Sequence, residues 1–337
     1  MTILVTGGAG YIGSHTVLSL LSYGKNVVVL DNLSNSSSKS LERVEKICGR
    51  RPLFYHGDVR DRKKLKHIFQ YHDITDVIHF AGLKAVAESV SNPLEYYDHN
   101  VNGTIVLLEE MMRAGVISFI FSSSATVYGK PETIPLKEDS SVGGTTNPYG
   151  FSKLIVERVL KDIALAEPTM RITILRYFNP VGAHSSGLLG EDPNGVPNNL
   201  IPYITQVAIG NLKYLSVFGN DYPTPDGTGI RDYIHVMDLA EGHIAALEHR
   251  NFGGNYKVYN LGTGVGYSVL DVINTFKRCT GIDIPYCFKP RRVGDIAECW
   301  SDPSLAFLEL GWSSRYDLDT MIIDSWRWQK NNPKGYK

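Results

Sequence analysis

A run of β-branched and apolar residues, Thr2 to Thr6, passes directly into Gly7-Gly8-Ala9-Gly10-Tyr11-Ile12-Gly13, and an apolar helical pattern follows. This junction constrains the fold more than any other feature of the chain. A glycine triplet alone says little, but between a strand and a helix it marks a phosphate-binding turn. Gly7 permits the tight turn, Gly10 lets backbone approach a pyrophosphate, and Gly13 lets helix and strand pack closely. The helix N-terminus then turns its free N–H groups and partial positive charge toward the phosphates. The spacing is GxxGxxG rather than the commoner GxGxxG.

The same alternation continues downstream. Residues 26–30, 53–56, 76–80, 117–122 and 171–176 are short β-branched runs bounded by turn residues, and each gap between them has room for a helix. Strands apolar on both faces, separated by helices, predict an α/β fold with a Rossmann-type doubly wound parallel sheet. The serine-rich patch Ser34 to Ser40 reads as a loop leading into a helix. After Pro180 the texture changes, with many Gly, Pro and Asn through residue 232. We expect two units, a dinucleotide-binding domain at 1–180 and a second, smaller mixed α/β domain at 181–337. A helix at 232–247 and a strand at 258–261 suggest that segments near 232–262 return to the first domain.

Composition narrows the function. The 337 residues carry a formal net charge of −1, so no global field advertises nucleic acid or an anionic membrane as partner. Arg291 and Arg292 suit one small anion better than a polymer. Cys48, Cys279, Cys287 and Cys299 form no CxxC pair and have no histidine-rich neighbourhood, which argues against zinc and against a disulfide framework. The first residues lack a signal-peptide pattern, and no run approaches the ~18 apolar residues of a membrane helix. A cytoplasmic enzyme is the expectation.

The dinucleotide can be specified further. Asp31 closes the second strand, eighteen residues past Gly13. A carboxylate there accepts hydrogen bonds from both ribose hydroxyls and repels a 2′-phosphate, which favours NAD over NADP. Asp58 follows the third strand and is placed to meet the adenine edge. For each acid the plain alternative is a strand-end turn or an N-cap.

Tyr149-Gly150-Phe151-Ser152-Lys153 opens an amphipathic helical pattern, and i, i+4 spacing puts phenol and ammonium on one face. YxxxK is common by chance; its weight here comes from following a fifth strand that ends in Ser122-Ser123-Ser124. Ligands bind at the C-terminal ends of strands in open parallel sheets. A phenol with a reference pKa of ~10 must fall about three units to act as a base near pH 7, a cost of ~4 kcal/mol. One cation ~5.5 Å away, at an effective dielectric of ~20, supplies ~3 kcal/mol. Lys153 together with a positively charged nicotinamide ring covers the difference. Ser124 would hold the reacting oxygen and Tyr149 would move its proton, which implies hydride exchange between NAD and a carbinol carbon.

Taken together, TGGxGYIGS, the SSSATVYG run ending at Gly129, YGFSK, and RYFNPVGAH from Arg176 to His184 resemble the extended short-chain dehydrogenase/reductase family. The match is nearest to its members that act at C4 of UDP-hexoses, and it extends to Phe218–Tyr222, Arg231–Val236 and Arg291–Asp295. The resemblance implies an isomerase that inverts the sugar carbinol by transient oxidation with tightly bound NAD. By position it assigns Tyr11 and Ile12 to the pyrophosphate, and Asp31, Asn32, Leu33, Ser34, Asn35 and Ser36 to the adenosine ribose. Asp58 and Val59 would flank adenine. Phe80, Ala81, Gly82, Leu83 and Lys84 would run along the cofactor with Lys84 near phosphate, and Phe178 would close the nicotinamide pocket. It further implies that Asn179, Asn199, Leu200, Ser216, Val217, Phe218, Arg231, Arg292 and Asp295 hold UDP, with Ser124, Tyr149 and Lys84 also reaching substrate.

One position departs from the family pattern: His99 stands where an asparagine would touch the cofactor. A 4,6-dehydratase on this scaffold would need titrating acids after the strand-five serine, where this chain has Ala125 and Thr126. A plain dehydrogenase would release its cofactor, and a redox-sensing binding protein would not require Ser124, Tyr149 and Lys153. Apolar stripes in helices expected at Pro93–Gly115 and Tyr149–Leu165 suggest a homodimer with a four-helix interface. Cys299, four residues past Asp295, borders the sugar pocket in the resembling enzymes. A thiol there leaves room for an N-acetyl group, so UDP-N-acetylhexoses are expected substrates too.

Overall fold

A computed structural model describes residues 1–193, 197, 199–249, 253–292 and 294–337. The chain runs through β1 (Thr2–Thr6), α1 (Tyr11–Ser22), β2 (Asn26–Asp31), α2 (Lys39–Cys48), β3 (Leu53–His56), α3 (Arg62–Tyr71) and β4 (Ile74–His79). Short α4 (Val86–Ser91) and α5 (Pro93–Tyr97) lead through a π turn at Asp98–Asn102 into α6 (Gly103–Arg113). Then come β5 (Ser118–Ser124), a 3₁₀ turn at Ala125–Tyr128, α7 (Pro148–Ala166) and β6 (Arg171–Tyr177).

Side-chain alternation along β1 and β2 explains why this sheet is central. Ile3, Val5, Val27 and Val29 enter one apolar cluster, whereas Leu4, Val28 and Leu30 enter the other. Both faces are thus covered, as a parallel sheet requires. Each such side chain contributes roughly 1.5–3 kcal/mol on burial. The strand order is β3-β2-β1-β4-β5-β6, with one late strand added beyond β6. All these pairs are parallel. The winding reverses between β1 and β4, so their C-terminal ends part and leave a crevice for ligand.

The rest of the chain is β7 (Asn179–Val181), α8 (Leu200–Ala208), β8 (Leu215–Phe218), β9 (Ile230–His235), α9 (Val236–Glu248), β10 (Tyr256–Leu261), β11 (Gly266–Ser268), α10 (Val269–Thr280), β12 (Tyr286–Lys289), β13 (Glu298–Cys299), α11 (Ser304–Leu310) and α12 (Leu318–Asn331). β10 lies parallel to β6 and is the late strand of the main sheet. α9 docks on α1, where Ser19 and Tyr23 both donate to the Glu241 carboxylate. β9 organises a small sheet with β7, β11 and β13, while β8 pairs with β12. A third apolar cluster, including Ile201, Ile204, Val217, Tyr233, Phe276 and Ile322, packs beneath these elements.

Two expected helices differ. The segment from Asp232 is strand through His235 and turns helical only at Val236, because it is held between β7, β11 and β13. The expected single helix over Pro93–Gly115 is interrupted by the π turn. There the Asn100 side chain leaves the helix face to bond Leu83 and Ser152, and one-turn π bulges characteristically accommodate such a residue. No described helix is long and apolar enough to cross a membrane.

Candidate active site

The three serines closing β5 have three different partners on or beside α7. The Ser122 carbonyl accepts from Lys153 Nζ at 2.8 Å. Ser123 Oγ donates to Glu157 at 2.5 Å. Ser124 Oγ accepts from the Thr126 backbone N–H at 3.2 Å and hydroxyl at 3.0 Å, and its side chain acts on the Tyr149 phenol. α7 can present Tyr149, Lys153 and Glu157 together because they lie four residues apart along one face. Its start is anchored by Asn147, whose side chain accepts from Gly150 N at 2.9 Å, with Pro148 in the first turn.

Burial raises the Tyr149 phenol above its ordinary pKa, while the Ser124 hydrogen bond and the Lys84 charge pull it down. Lys153 is itself lowered by burial to about 8, with Glu157 opposing. Lys84 is thus a cation acting on the phenol, while the Lys153 ammonium, one helical turn from Tyr149, donates to the Ser122 carbonyl.

At the crevice between β1 and β4 the backbone leaves room only for glycine. Gly7 has φ +70°, and a Cβ there would lie 2.6 Å from Ala81 N; one on Gly13 would lie 2.2 Å from the Gly7 carbonyl oxygen. A Cβ on Gly10 would meet one atom within 4 Å, the Gly7 carbonyl oxygen at 3.3 Å. The geometry fits a pyrophosphate at the α1 N-terminus. Tyr11 crosses to the second half of the chain, donating to the Gly182 carbonyl at 2.7 Å, and Ile12 packs into the core beneath.

Asp31 builds the loop that follows β2. Its oxygens accept from Ala9 N at 3.0 Å, Leu33 N at 2.9 Å and Ser36 Oγ at 2.8 Å. Leu33 takes φ +58°, a conformation uncommon outside glycine. Ser34 N donates to the Asn32 side-chain oxygen at 3.0 Å, and Asn35 continues the bend. Asp58 is gripped by Arg60, through Nε on one oxygen and Nη2 on the other, both at 2.8 Å, and by Asn32 at 2.9 Å. Arg60 hydrogen bonding holds the Asp58 carboxyl well below the usual range. Val59 is buried against Gly103. Phe80 packs on His243, centroids 4.8 Å apart. Gly82 and Leu83 abut Asn100, whose side-chain oxygen accepts from Leu83 N at 2.8 Å. The buried amide at this strip is therefore Asn100; His99, at the preceding position of the π turn, is only partly buried.

The opposite wall carries cations. Lys84 Nζ lies 3.0 Å from Glu191 Oε1, which also accepts from Asn199 at 3.0 Å. Asn199 is the N-cap residue of α8 and Leu200 its first residue. Arg231 on β9 pairs with Asp295. The Arg292 guanidinium stacks 4.2 Å from the ring of Phe218, which ends β8 after Ser216 and Val217. Asn179 opens β7 with its side chain exposed. Phe178 and Cys299 share a buried cluster with Val127, Tyr128 and Leu136, and burial lifts the Cys299 thiol to about 11, so it is neutral. Sequence reasoning missed Arg60, Asn100, Thr126, Glu157 and Glu191. The acid-x-base spacing of Asp58 and Arg60 was a usable local signal; Glu191 had none.

What the geometry defines is a class: Rossmann-fold enzymes that use a nicotinamide dinucleotide against an alcohol or carbonyl. The chain matches the NAD dependent epimerase/dehydratase family over residues 3–262 and belongs to that family. NAD is the dinucleotide its glycine cradle serves. At finer grain it is 66% identical over 336 residues to the UDP-glucose 4-epimerase of Yersinia enterocolitica, covering 100% of this chain and 99% of that one. It superposes with TM-score 0.97 and 55% identity on the Bifidobacterium longum UDP-glucose 4-epimerase in complex with NAD+ and UDP, covering 99% and 100% of the two chains. It is also similar to the UDP-Glc/GlcNAc 4-epimerase of Campylobacter jejuni, with TM-score 0.84, 39% identity and coverage of 98% and 99%.

Proposed function

We propose that this chain is an NAD-dependent isomerase that interconverts UDP-glucose and UDP-galactose in the cytoplasm by inverting sugar C4. The observation that carries the reading is that the face of α7 bearing Tyr149 and Lys153 lies against the end of β5, with Lys153 Nζ on the Ser122 carbonyl and Ser124 acting on the Tyr149 phenol. Bound NAD supplies the acceptor, and then the donor, of the C4 hydride. Tyr149 accepts the 4-hydroxyl proton as the carbinol becomes a ketone, and returns it when hydride comes back to the other face. Ser124 holds the oxygen through both steps. Lys84, Arg231 and Arg292 grip the diphosphate, Asp295 takes a ribose hydroxyl, and Asn179, Asn199, Leu200 and the Ser216–Phe218 strand complete the UDP site. An anchored UDP lets the keto-sugar turn while it stays bound. The test is to follow the anomeric proton of UDP-galactose by NMR in the presence of the purified enzyme. We expect UDP-glucose to accumulate to a fixed ratio with no free NADH. Free NADH in step with turnover would mark a dehydrogenase instead.

Cys299 extends the substrate range in this reading. A small neutral side chain beside Phe178 leaves space for an acetamide at the sugar 2-position, so UDP-N-acetylglucosamine and UDP-N-acetylgalactosamine are interconverted as well. The enzyme works as a homodimer through α5, α6 and α7, where Leu94 is 82% exposed, Met112 36% and Phe151 46%. Light scattering at micromolar concentration tests this: a particle of twice the chain's 37.5 kDa supports it, and one of the chain mass rejects it.

A further inference from the structure

Glu157 and Arg176 form an ion pair in which both side chains are only 5% exposed. Two charges removed from water gain little net stability, since desolvation offsets their attraction. The pair's position points to another role. Glu157 lies one turn beyond Lys153 and two beyond Tyr149 on α7, while Arg176 stands beside Ser123 in the β5–β6 register. Glu157 Oε1 accepts from Ser123 Oγ at 2.5 Å and Arg176 Nε at 3.1 Å; its Oε2 accepts from Arg176 Nη2 at 2.8 Å. Arg176 is locked in turn, donating to Tyr128 Oη at 2.9 Å and the Glu138 carbonyl at 3.1 Å.

We propose that Glu157 is a positioning residue for catalysis: clamped by Ser123 and Arg176, it fixes α7 in register with β5 and supplies the negative field that holds the Lys153 ammonium. The proposal rests on Tyr149 being the base. The surroundings of Lys153 leave this task to Glu157. The lysine donates to one carbonyl, Ser122, and lies over the Phe121 ring at 4.9 Å. The titratable groups acting with it are Glu157 on α7 and, from β4, His79, which burial first and the Lys153 charge second push down to about 3; Tyr149 lies one turn earlier on α7. Glu157 is thus the acidic group acting on it. Around the pair itself stand Tyr128, Glu138 and, from β10, Tyr256. Lys84 acts on the phenol and, being a cation, cannot offset the desolvation of Lys153.

The test is kcat against pH for the NAD-loaded enzyme. Glu157→Gln removes the field and leaves the Arg176 charge unpartnered, and both changes favour a neutral Lys153. Its alkaline limb should move to lower pH, with kcat at pH 8 down by about tenfold or more and KM within about twofold. Glu157→Gln/Arg176→Gln removes both charges and should recover most of the lost kcat. Glu157→Asp, which keeps the charge but retracts it, should fall between and remains informative if the glutamine variant does not fold. A merely structural pair predicts the reverse: an unshifted limb, and a double variant no better than the single. Either result overturns the proposal. Tyr149→Phe, measured alongside, tests the base separately: if that variant turns over, the catalytic reading fails whatever Glu157 does.

Discussion

The Lys84 ammonium lies 3.0 Å from Glu191, and the same carboxylate oxygen takes the Asn199 amide, so one acid ties the loop after β4 to the start of α8. Lys84 is 51% exposed and Glu191 8%, which makes the bridge weak as a stabiliser but effective at aiming the lysine. Lys84→Met should raise KM for UDP-galactose by about tenfold, the loss of one charge-assisted phosphate contact. Because Lys84 also lowers the Tyr149 pKa, the acid limb of kcat should move to higher pH. An unchanged KM would take Lys84 out of the substrate site.

Tyr149→Phe removes the proton acceptor and leaves the ring. Turnover should fall by about 10²–10⁴-fold, the usual worth of a general base. Bound NAD and the thermal midpoint should stay near wild type. Activity within tenfold of wild type by steady-state kinetics would reject the assignment.

Three buried histidines predict an acid limit to stability. Burial holds His15 and His79 down to about 3 and His243 to about 4, so all are neutral in the fold. In the unfolded chain they take up protons below about 6.5, which favours unfolding. Stability is therefore complete above pH ~6.5 and declines as the pH falls toward the folded values. Urea midpoints measured from pH 7.5 to pH 4.5 should fall through this window. His243→Gln, which cannot protonate, should have a shallower slope than wild type.

Gly13→Ala places a methyl 2.2 Å from the Gly7 carbonyl oxygen, which backbone cannot relieve without opening the turn. The variant should be purified with little NAD, read from its 260/280 nm absorbance ratio, while retaining its far-UV circular dichroism. Full NAD content would show that the turn can shift without losing the pyrophosphate.

Cys299→Tyr should abolish turnover of UDP-N-acetylglucosamine and spare UDP-glucose, since a ring beside Phe178 occupies the space an acetamide needs. Equal loss of both activities, or no wild-type activity on the N-acetylated sugar, would remove Cys299 as the determinant of substrate range.

The main sheet was legible because its cause is local. Alternate residues of 2–6 and 26–30 are apolar on both faces, and such strands are stable only between helices. The glycine cradle was legible for a similar reason: backbone crowding at Gly7 and Gly13 excludes every side chain, and that requirement is written in residue type. Tyr149 and Lys153 could be paired because four residues make about one turn of any α-helix.

What joins distant segments had no such local signature. The pairings of Glu191 with Lys84, 107 positions apart, and of Arg176 with Glu157, 19 apart, depend on which strand lies beside which. So do the three separate partners of Ser122, Ser123 and Ser124, whose identical side chains promise nothing distinct until α7 lies against β5. The π turn placing Asn100 rather than His99 against Leu83 arises from hydrogen bonds to Leu83 and Ser152. Short-range sterics and periodicity thus made the scaffold and the catalytic pair readable in the sequence. The charges that tune that pair were decided only by tertiary packing, because their fields act across space and do not follow separation along the chain.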